Sequence, residues 1–368
     1  MHIPFLSFKE VNQKIKPQII AAFENFFDEG WYVLGERLIK FEKDYAEFNH
    51  TSHCVGVSNG LDALHLALKV LSIGPGDEVI VPSNTFIATA LAVSYVGATP
   101  VFVEPKKGTY NIDPNLLEAS ITSKTKAIMP VHLYGQACEM QEIMTIANKR
   151  NIWVVEDNAQ AQGATYTGKL TGSFGTINGT SFYPGKNLGA FGDAGAITTN
   201  DAYLANKVKI LRNYGSEKKY QNDEIGYNMR LDECQAAFLS IKLQYLHEWT
   251  TERQKIAGWY NLMLRDVGDL ILPEVAVGAT HVYHLYIIRT KRRDALQQYL
   301  REYNIGSLIH YPIPPHLQNA YVHLGHKLGS FPVAEEIANT CLSLPLWPGM
   351  SFAETEQVAN VIKNYFHG

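Results

Sequence analysis

A lysine in a glycine-rich loop directly after an apolar strand is the feature of this sequence best suited to chemistry. Lys186 stands in Gly179-Thr-Ser-Phe-Tyr-Pro-Gly-Lys-Asn-Leu-Gly-Ala-Phe-Gly-Asp-Ala-Gly-Ala196. Held away from bulk water, its amine gives up its proton more readily and becomes a nucleophile, as Schiff-base chemistry requires. Left in solvent, it is an ordinary loop lysine. Asp157 closes the apolar run Ile152-Trp-Val-Val-Glu156 and projects from the carboxyl end of a buried strand, where ligands bind in open α/β sheets. A carboxylate there either holds the proton on a pyridine nitrogen, making the ring an electron sink, or caps a helix. Ser58-Asn59-Gly60-Leu61-Asp62 is a turn opening a helix. The free N–H groups and dipole of such a helix start receive a phosphate, although the segment is neither a P-loop nor a dinucleotide fingerprint. Phe86 either lays a ring against a planar cofactor or packs in the core.

These residues need a scaffold, and the sequence implies one. Short β-branched runs at 54–57, 78–81, 100–103, 126–131, 152–156, 179–183 and 194–198 alternate with helical periodicity, including a helix at 60–70 capped by Asn59. The pattern predicts an α/β fold with a mainly parallel central sheet. Past residue 230 the texture changes to helices at 231–246, through 264, at 294–302 and at 353–366, with a strand-like run at 282–288. We expect a large domain over 1–245 and a smaller C-terminal α/β domain over 246–368.

Composition narrows the function classes. The 368 residues are 46% hydrophobic and 18% charged with a net charge of −4, which suits a folded enzyme-sized chain and offers no broad basic face for nucleic acid or an anionic membrane. Cys54, Cys138, Cys234 and Cys341 lie far apart, so neither a disulfide framework nor a zinc site is expected, and a reducing cytoplasm fits. The start, Met1-His-Ile-Pro-Phe-Leu6, does not read as a signal peptide.

Three segments together carry a resemblance: Ser181-Phe-Tyr-Pro-Gly-Lys186-Asn-Leu-Gly189, Glu156-Asp157-Asn-Ala-Gln160-Ala161 and Thr85-Phe86-Ile-Ala-Thr-Ala90. The chain resembles the StrS/DegT-type sugar-nucleotide aminotransferases along nearly its whole length. The resemblance implies an aspartate-aminotransferase-like (type I) fold, pyridoxal 5′-phosphate as cofactor, and a homodimer with shared active sites. It implies that Lys186 joins the cofactor's aldehyde, Asp157 pairs with the pyridine nitrogen, Gln160 lies near the phenolic oxygen and Phe86 stacks on the ring. Gly60, Leu61 and Ser181 would hold the phosphate, with Asn228 contacting it from the partner subunit. Two positions depart from the family pattern: Gln162 where histidine is common, and Asn158 where a small residue is. Relatives that exchange the lysine for histidine become dehydratases, whereas this chain keeps Lys186.

The segment Ile309-His310-Tyr311-Pro-Ile-Pro-Pro-His316-Leu-Gln318 resembles that of members that aminate carbon 3 of a dTDP-linked 3-oxo-6-deoxyhexose, with His310, Tyr311 and Tyr183 as hexose contacts. The implied product is a dTDP-3-amino-3,6-dideoxyhexose, with glutamate as donor and ping-pong kinetics. Trp31 and Tyr32 are expected either on the nucleotide end or as interface or core aromatics. His132 and Tyr134 follow a strand toward the same cleft, with His132 read as a satisfied buried histidine. No metal site is expected. Two other functions stay open: amination at carbon 4 of a UDP-linked 4-oxo-6-deoxy sugar, and a non-catalytic regulatory protein that keeps the cofactor.

Overall fold

A computed structural model describes residues 2–367. Eleven strands occur among them: β1 (His53–Val57), β2 (Glu78–Pro82), β3 (Thr99–Val103), β4 (Thr125–Ile128), β5 (Trp153–Asp157), β6 (Thr165–Tyr166), β7 (Lys169–Leu170), β8 (Ile177–Ser181), β9 (Gly195–Thr199), β10 (Tyr286–Arg289) and β11 (Cys341–Leu344). Seven form one sheet in the order β1-β9-β8-β5-β4-β2-β3, in which β9 alone runs against its neighbours. The mainly parallel sheet is as expected. Its side chains alternate faces as strand geometry demands. Val79 and Val81 enter one core with α3 (Gly60–Val70), α4 (Ile87–Tyr95) and α7 (Ala202–Leu211), while Ile80 enters the opposite one with α5 (Leu117–Ser120) and α6 (Met140–Arg150).

Before the sheet come α1 (Lys9–Glu29) and α2 (Glu36–Phe48), helices that the pattern reading did not resolve. Leu38, Phe41 and Tyr45 of α2 pack with Leu231, Ala236 and Leu239 on and beside α8 (Glu233–Leu243). Glu233 of α8 accepts hydrogen bonds from the Gly35 and Leu38 N–H groups at 2.6 and 3.2 Å, supplying the acceptors that α2 lacks at its own start. The two helices expected over 231–246 and through 264 are α8, which stops at Leu243, and α9 (Leu246–Met263), which Leu246 opens.

Other boundaries shift for local reasons. The strand expected to reach residue 131 ends at Ile128, just before Pro130. The strand expected at 179–183 is β8, ending at Ser181. The chain then folds back so that the Ala190 N–H reaches the Phe182 carbonyl at 2.7 Å. Residues 282–285, expected as strand, are a strap that bonds to the backbone of 134–135 (Val282 N–H to Gly135 O, 2.8 Å), and β10 begins only at Tyr286.

The C-terminal part packs α9, α10 (Arg293–Glu302) and α12 (Phe352–His367) on the β10–β11 ribbon, with α11 (Pro332–Thr340) leading into β11. Ile3 is fully buried in this second core, held by backbone hydrogen bonds to Asn304 and Gly306. Among the described residues, no helix is long and apolar enough to cross a membrane.

Candidate active site

The carboxyl ends of β1, β2, β5 and β8 converge on a cavity of ≈ 820 Å³, and the strap at 284–285 and the segment 308–311 roof it. The placement follows the rule for open α/β sheets. Lys186, Asp157, Gly60, Leu61, Phe86, Gln160, Ser181, Tyr183, His310 and Tyr311 all line this one cavity.

The lysine loop is folded by its own backbone. The Lys186 N–H reaches the Tyr183 carbonyl at 2.8 Å, and Asn187 Nδ2 donates to the Val282 carbonyl at 3.0 Å. At Gly189 a Cβ would lie 2.2 Å from the Pro184 carbonyl oxygen, so only glycine allows the loop to close. Among the described residues, Lys186 Nζ has neither an ion-pair nor a hydrogen-bond partner, and burial pulls its pKa down to about 8 against the opposing charge of Asp157. A half-buried, unpartnered amine of lowered basicity, as the chemistry needs, is in place.

Asp157 is buried at the end of β5. Its Oδ2 accepts from Thr89 Oγ1 at 2.8 Å and its Oδ1 from the Ala159 N–H at 3.1 Å. Burial pushes its pKa up, while these hydrogen bonds and the Lys186 charge oppose that rise. A carboxylate so desolvated favours a cationic partner, and a protonated ring nitrogen would be one. Behind it, Glu156 accepts from the N–H groups of Gly172, Phe174 and Gly175 at 2.6–2.8 Å and from His132 Nε2 at 2.8 Å. His132 Nδ1 accepts the Cys138 N–H at 3.0 Å, so the ring proton sits on Nε2 and the imidazole is neutral. The His132 N–H in turn bonds to the Asp157 carbonyl at 3.1 Å, which ties this network to the backbone of the acid.

The start of α3 forms the anion end. Asn59 Oδ1 accepts the Asp62 N–H at 2.8 Å, leaving the first N–H groups of the helix without intrahelical acceptors. A Cβ at Gly60 would lie 2.5 Å from Ser181 Cβ, so the missing side chain is what lets the helix start sit against Ser181. N–H groups and a hydroxyl gathered at a helix N-terminus fit a phosphate. With the bare amine of Lys186 and the desolvated acid at 157, they make a donor set that fits pyridoxal 5′-phosphate.

The roof is aromatic and polar. The Phe86 and Tyr311 rings meet at 5.2 Å between centroids. Gln160 Oε1 accepts the Tyr134 N–H at 2.6 Å, which orients its Nε2 to donate to Tyr311 Oη at 3.0 Å. The Tyr311 hydroxyl proton is thereby free to point at a ligand. His310 Nδ1 lies 2.7 Å from Ser343 Oγ, and burial with the nearby Lys186 lowers its pKa to about 4. Tyr134 donates its hydroxyl to the His310 carbonyl.

Some expectations shift. Trp31 and Tyr32 do not line the cavity of their own chain; they are 62% and 53% exposed, with Trp31 Nε1 bonded to the Val33 carbonyl and Tyr32 edge-on to Phe26. Both stand just past the end of α1, and their rings turn to that surface. Asn228 is likewise exposed and outside the cavity. Gln162, at the position where relatives carry histidine, donates to the Ser181 carbonyl at 2.7 Å and so braces the end of β8. Sequence reasoning missed His284, Asp193 and Thr89. His284 lines the cavity near Lys186 with a buried, unpartnered Nδ1 and a strongly lowered pKa, caused first by burial and then by Lys186. The repeat His281-Val-Tyr-His284 was its available signal.

Comparison with known proteins agrees with this geometry. The profile of the DegT/DnrJ/EryC1/StrS aminotransferase family matches residues 13–363. A dTDP-3-amino-3,6-dideoxy-alpha-D-galactopyranose transaminase from Aneurinibacillus thermoaerophilus is 52% identical over 99% of both chains. A pleiotropic regulatory protein from Geobacillus stearothermophilus is 44% identical over 100% of this chain and 99% of its own. Among solved structures, S. venezuelae DesV in complex with a ketimine intermediate superposes with a TM-score of 0.98 at 44% identity, covering 100% of this chain and 99% of that one. NtdA from Bacillus subtilis, with bound cofactor PMP, gives 0.92 at 31% identity, covering 100% and 86%. With a lysine and an acid lining one cavity at the sheet's carboxyl edge and the family profile spanning residues 13–363, the chain belongs to the DegT/DnrJ/EryC1/StrS aminotransferase family.

Proposed function

We propose that the protein is a pyridoxal 5′-phosphate-dependent aminotransferase that converts a dTDP-3-oxo-6-deoxyhexose to the dTDP-3-amino-3,6-dideoxyhexose, with glutamate as donor. The observation that carries this reading is the unpartnered, half-buried amine of Lys186 sharing one cavity with Asp157 below and with His310 and Tyr311 above. When bound, the cofactor supplies an aldehyde and an electron-accepting ring. Lys186, whose lowered pKa of about 8 leaves part of its amine neutral near physiological pH, would hold the cofactor through its aldehyde and, when free, would be the base that carries the proton between carbon centres. Asp157 holds the ring nitrogen protonated, and Thr89 and Ala159 hold Asp157 in place. The start of α3 and Ser181, which line the cavity, would hold the phosphate, and Phe86 would supply an aromatic face for the ring. On the roof, neutral His310 and the free Tyr311 proton meet the sugar's hydroxyl groups.

The acceptor follows from the 52% identical galactopyranose-3-amine transaminase together with the His310-Tyr311 roof. Incubating purified protein with glutamate and each keto-sugar nucleotide tests it. NMR of the product should show an amine at carbon 3 of the dTDP sugar, whose galacto configuration the relative's name favours. Turnover of the UDP-linked 4-oxo sugar alone would overturn the assignment. The 44% identical regulatory relative keeps a binding-only role in view, and the absence of turnover with every acceptor would favour it.

The same reading includes a homodimer. Ile20, Phe23 and Phe27 form an exposed apolar stripe on one face of α1 that continues to Trp31 and Tyr32, a surface that a second copy would cover. In that arrangement Asn228 would serve the partner's phosphate. We also assign residues 1–245 and 246–368 to the two domains, with the N-terminal segment around Ile3 returning to the second core.

A further inference from the structure

Lys242, on α8, is a buried lysine outside the cavity, and none of the roles assigned above uses it. Its Nζ donates to the Gly189 carbonyl at 2.6 Å and lies 3.7 Å from the centre of the Phe191 ring. Among the described residues, no carboxylate forms an ion pair with it. Burial, acting alone, lowers its pKa to about 8. A buried ammonium without an acid is costly, and a methionine of similar length would fill the space without that cost. Its two contacts are both with the loop that carries Lys186. One helical repeat earlier, Gln235 accepts the Phe191 N–H at 2.9 Å. Residues 235 and 242 are seven apart, so they rise on the same face of α8 and grip the loop at 189 and 191. On the far side, Asn187 ties the loop to the strap at 282.

We propose that Lys242 is a positioning residue for Lys186: its N–H···O=C bond to Gly189 and its ammonium over Phe191 hold the loop in the shape that presents the Lys186 amine to the cleft. Leu188 and Ala190 anchor the loop in the core beside α2 and α8, while the glycines that flank them offer no side chains to pack, so a clamp from outside acts on the backbone at Gly189. The segment from Gly185 to Gly195 contains four glycines, and at Gly189, the residue that Lys242 holds, a Cβ would lie 2.2 Å from the Pro184 carbonyl oxygen, so no side chain can pack there. A cation donating to a carbonyl makes a stronger clamp than a neutral donor, and the aromatic face below it adds a second attraction. The proposal rests on the reading that Lys186 captures the cofactor's aldehyde.

The test is covalent trapping. Full-length protein freed of cofactor is mixed with pyridoxal 5′-phosphate. The Lys186 amine condenses with the aldehyde with loss of water, and added borohydride delivers hydride to the C=N bond. Mass spectrometry of the peptide containing residue 186 then follows the rate of tagging. Wild-type protein should be tagged at Lys186; no tag there would overturn the function proposed above, independently of Lys242. Lys242→Met should fold with an unchanged or higher melting temperature, yet be tagged about ten- to a hundredfold more slowly, the scale expected when a reacting group is misplaced by about 1 Å. Its kcat should fall with little change in the KM for the sugar. Lys242→Arg, which keeps the charge and a donor for Gly189, should recover tagging to within about threefold of wild type. Tagging of folded Lys242→Met at the wild-type rate would overturn the proposal. Should the methionine variant not fold, the arginine variant decides: near-normal tagging supports the clamp, and a folded arginine variant tagged more than about tenfold slowly contradicts it.

Discussion

On the floor of the cleft, Asp157 and Ser181 close β5 and β8 of one sheet, and Lys186 follows five residues later in a loop closed by its own backbone. On the roof, Tyr311 is held by Gln160 and the His310 carbonyl by Tyr134, partners 151 and 176 residues away in the chain. The floor inherits its geometry from sheet register, which a one-residue slip would destroy. The roof depends on side chains reaching between the two cores. Such a division lets the acceptor side change by substitution while the cofactor side stays fixed. Residues on the floor should therefore affect every reaction of the enzyme, and residues on the roof only the half-reaction with the sugar.

The largest effect should come from Lys186→Ala. Turnover is expected to fall by about a thousandfold or more, with the far-ultraviolet circular dichroism unchanged because the Lys186 side chain belongs to none of the hydrophobic cores. Asp157→Asn keeps the size of the side chain and removes its charge, so both half-reactions should slow by about 10²- to 10³-fold in single-turnover assays. If only one slowed, the floor would not be common to both. Tyr311→Phe removes the proton that Gln160 leaves free, and should raise the KM for the sugar about tenfold while the glutamate half-reaction keeps its rate. A loss in both half-reactions would erase the distinction between floor and roof.

The smallest effect is one of pH. The folded-state pKa of Lys186 is lowered to about 8, so its amine is protonated and unreactive below that value and free above it. Capture of pyridoxal phosphate should therefore rise about threefold between pH 7.5 and 8.5 in stopped-flow absorbance. The same group makes folding stability rise with pH from about 8 toward the ordinary lysine value, because over that window the unfolded chain binds the extra proton. A capture rate flat across pH 8 would mean that the amine is not shielded from water.

What could be read in the sequence divides along the same line. Asp157 closes an apolar run, Gly60 opens the helix after one and Lys186 lies in the loop after another, so local pattern sets these three beside strand ends and yields the parallel sheet, whereas Ser181 falls inside its predicted strand and its phosphate role comes with the family resemblance. His284 and the support of Asp157 by Thr89 were not visible, since each depends on segments that meet only in the folded chain. The 282–288 run looked like a strand because its β-branched and aromatic residues favour one. Its first four residues instead bond to 134–135, a pairing no local signal announces. For Trp31 and Tyr32 residue type left nucleotide contact and interface packing equally open, and their place on the α1 surface is set by how α1 ends. The early helices were missed because the exposed apolar stripe of α1 blurs the usual contrast between a buried and a wet face.

The central claim is that the amine at 186 carries the cofactor. The most direct measurement is the visible absorbance of purified protein mixed with pyridoxal phosphate, before and after glutamate is added. The account predicts a yellow band that bleaches with glutamate in the wild-type chain and is absent from Lys186→Ala. An identical band and bleaching in that variant would contradict it.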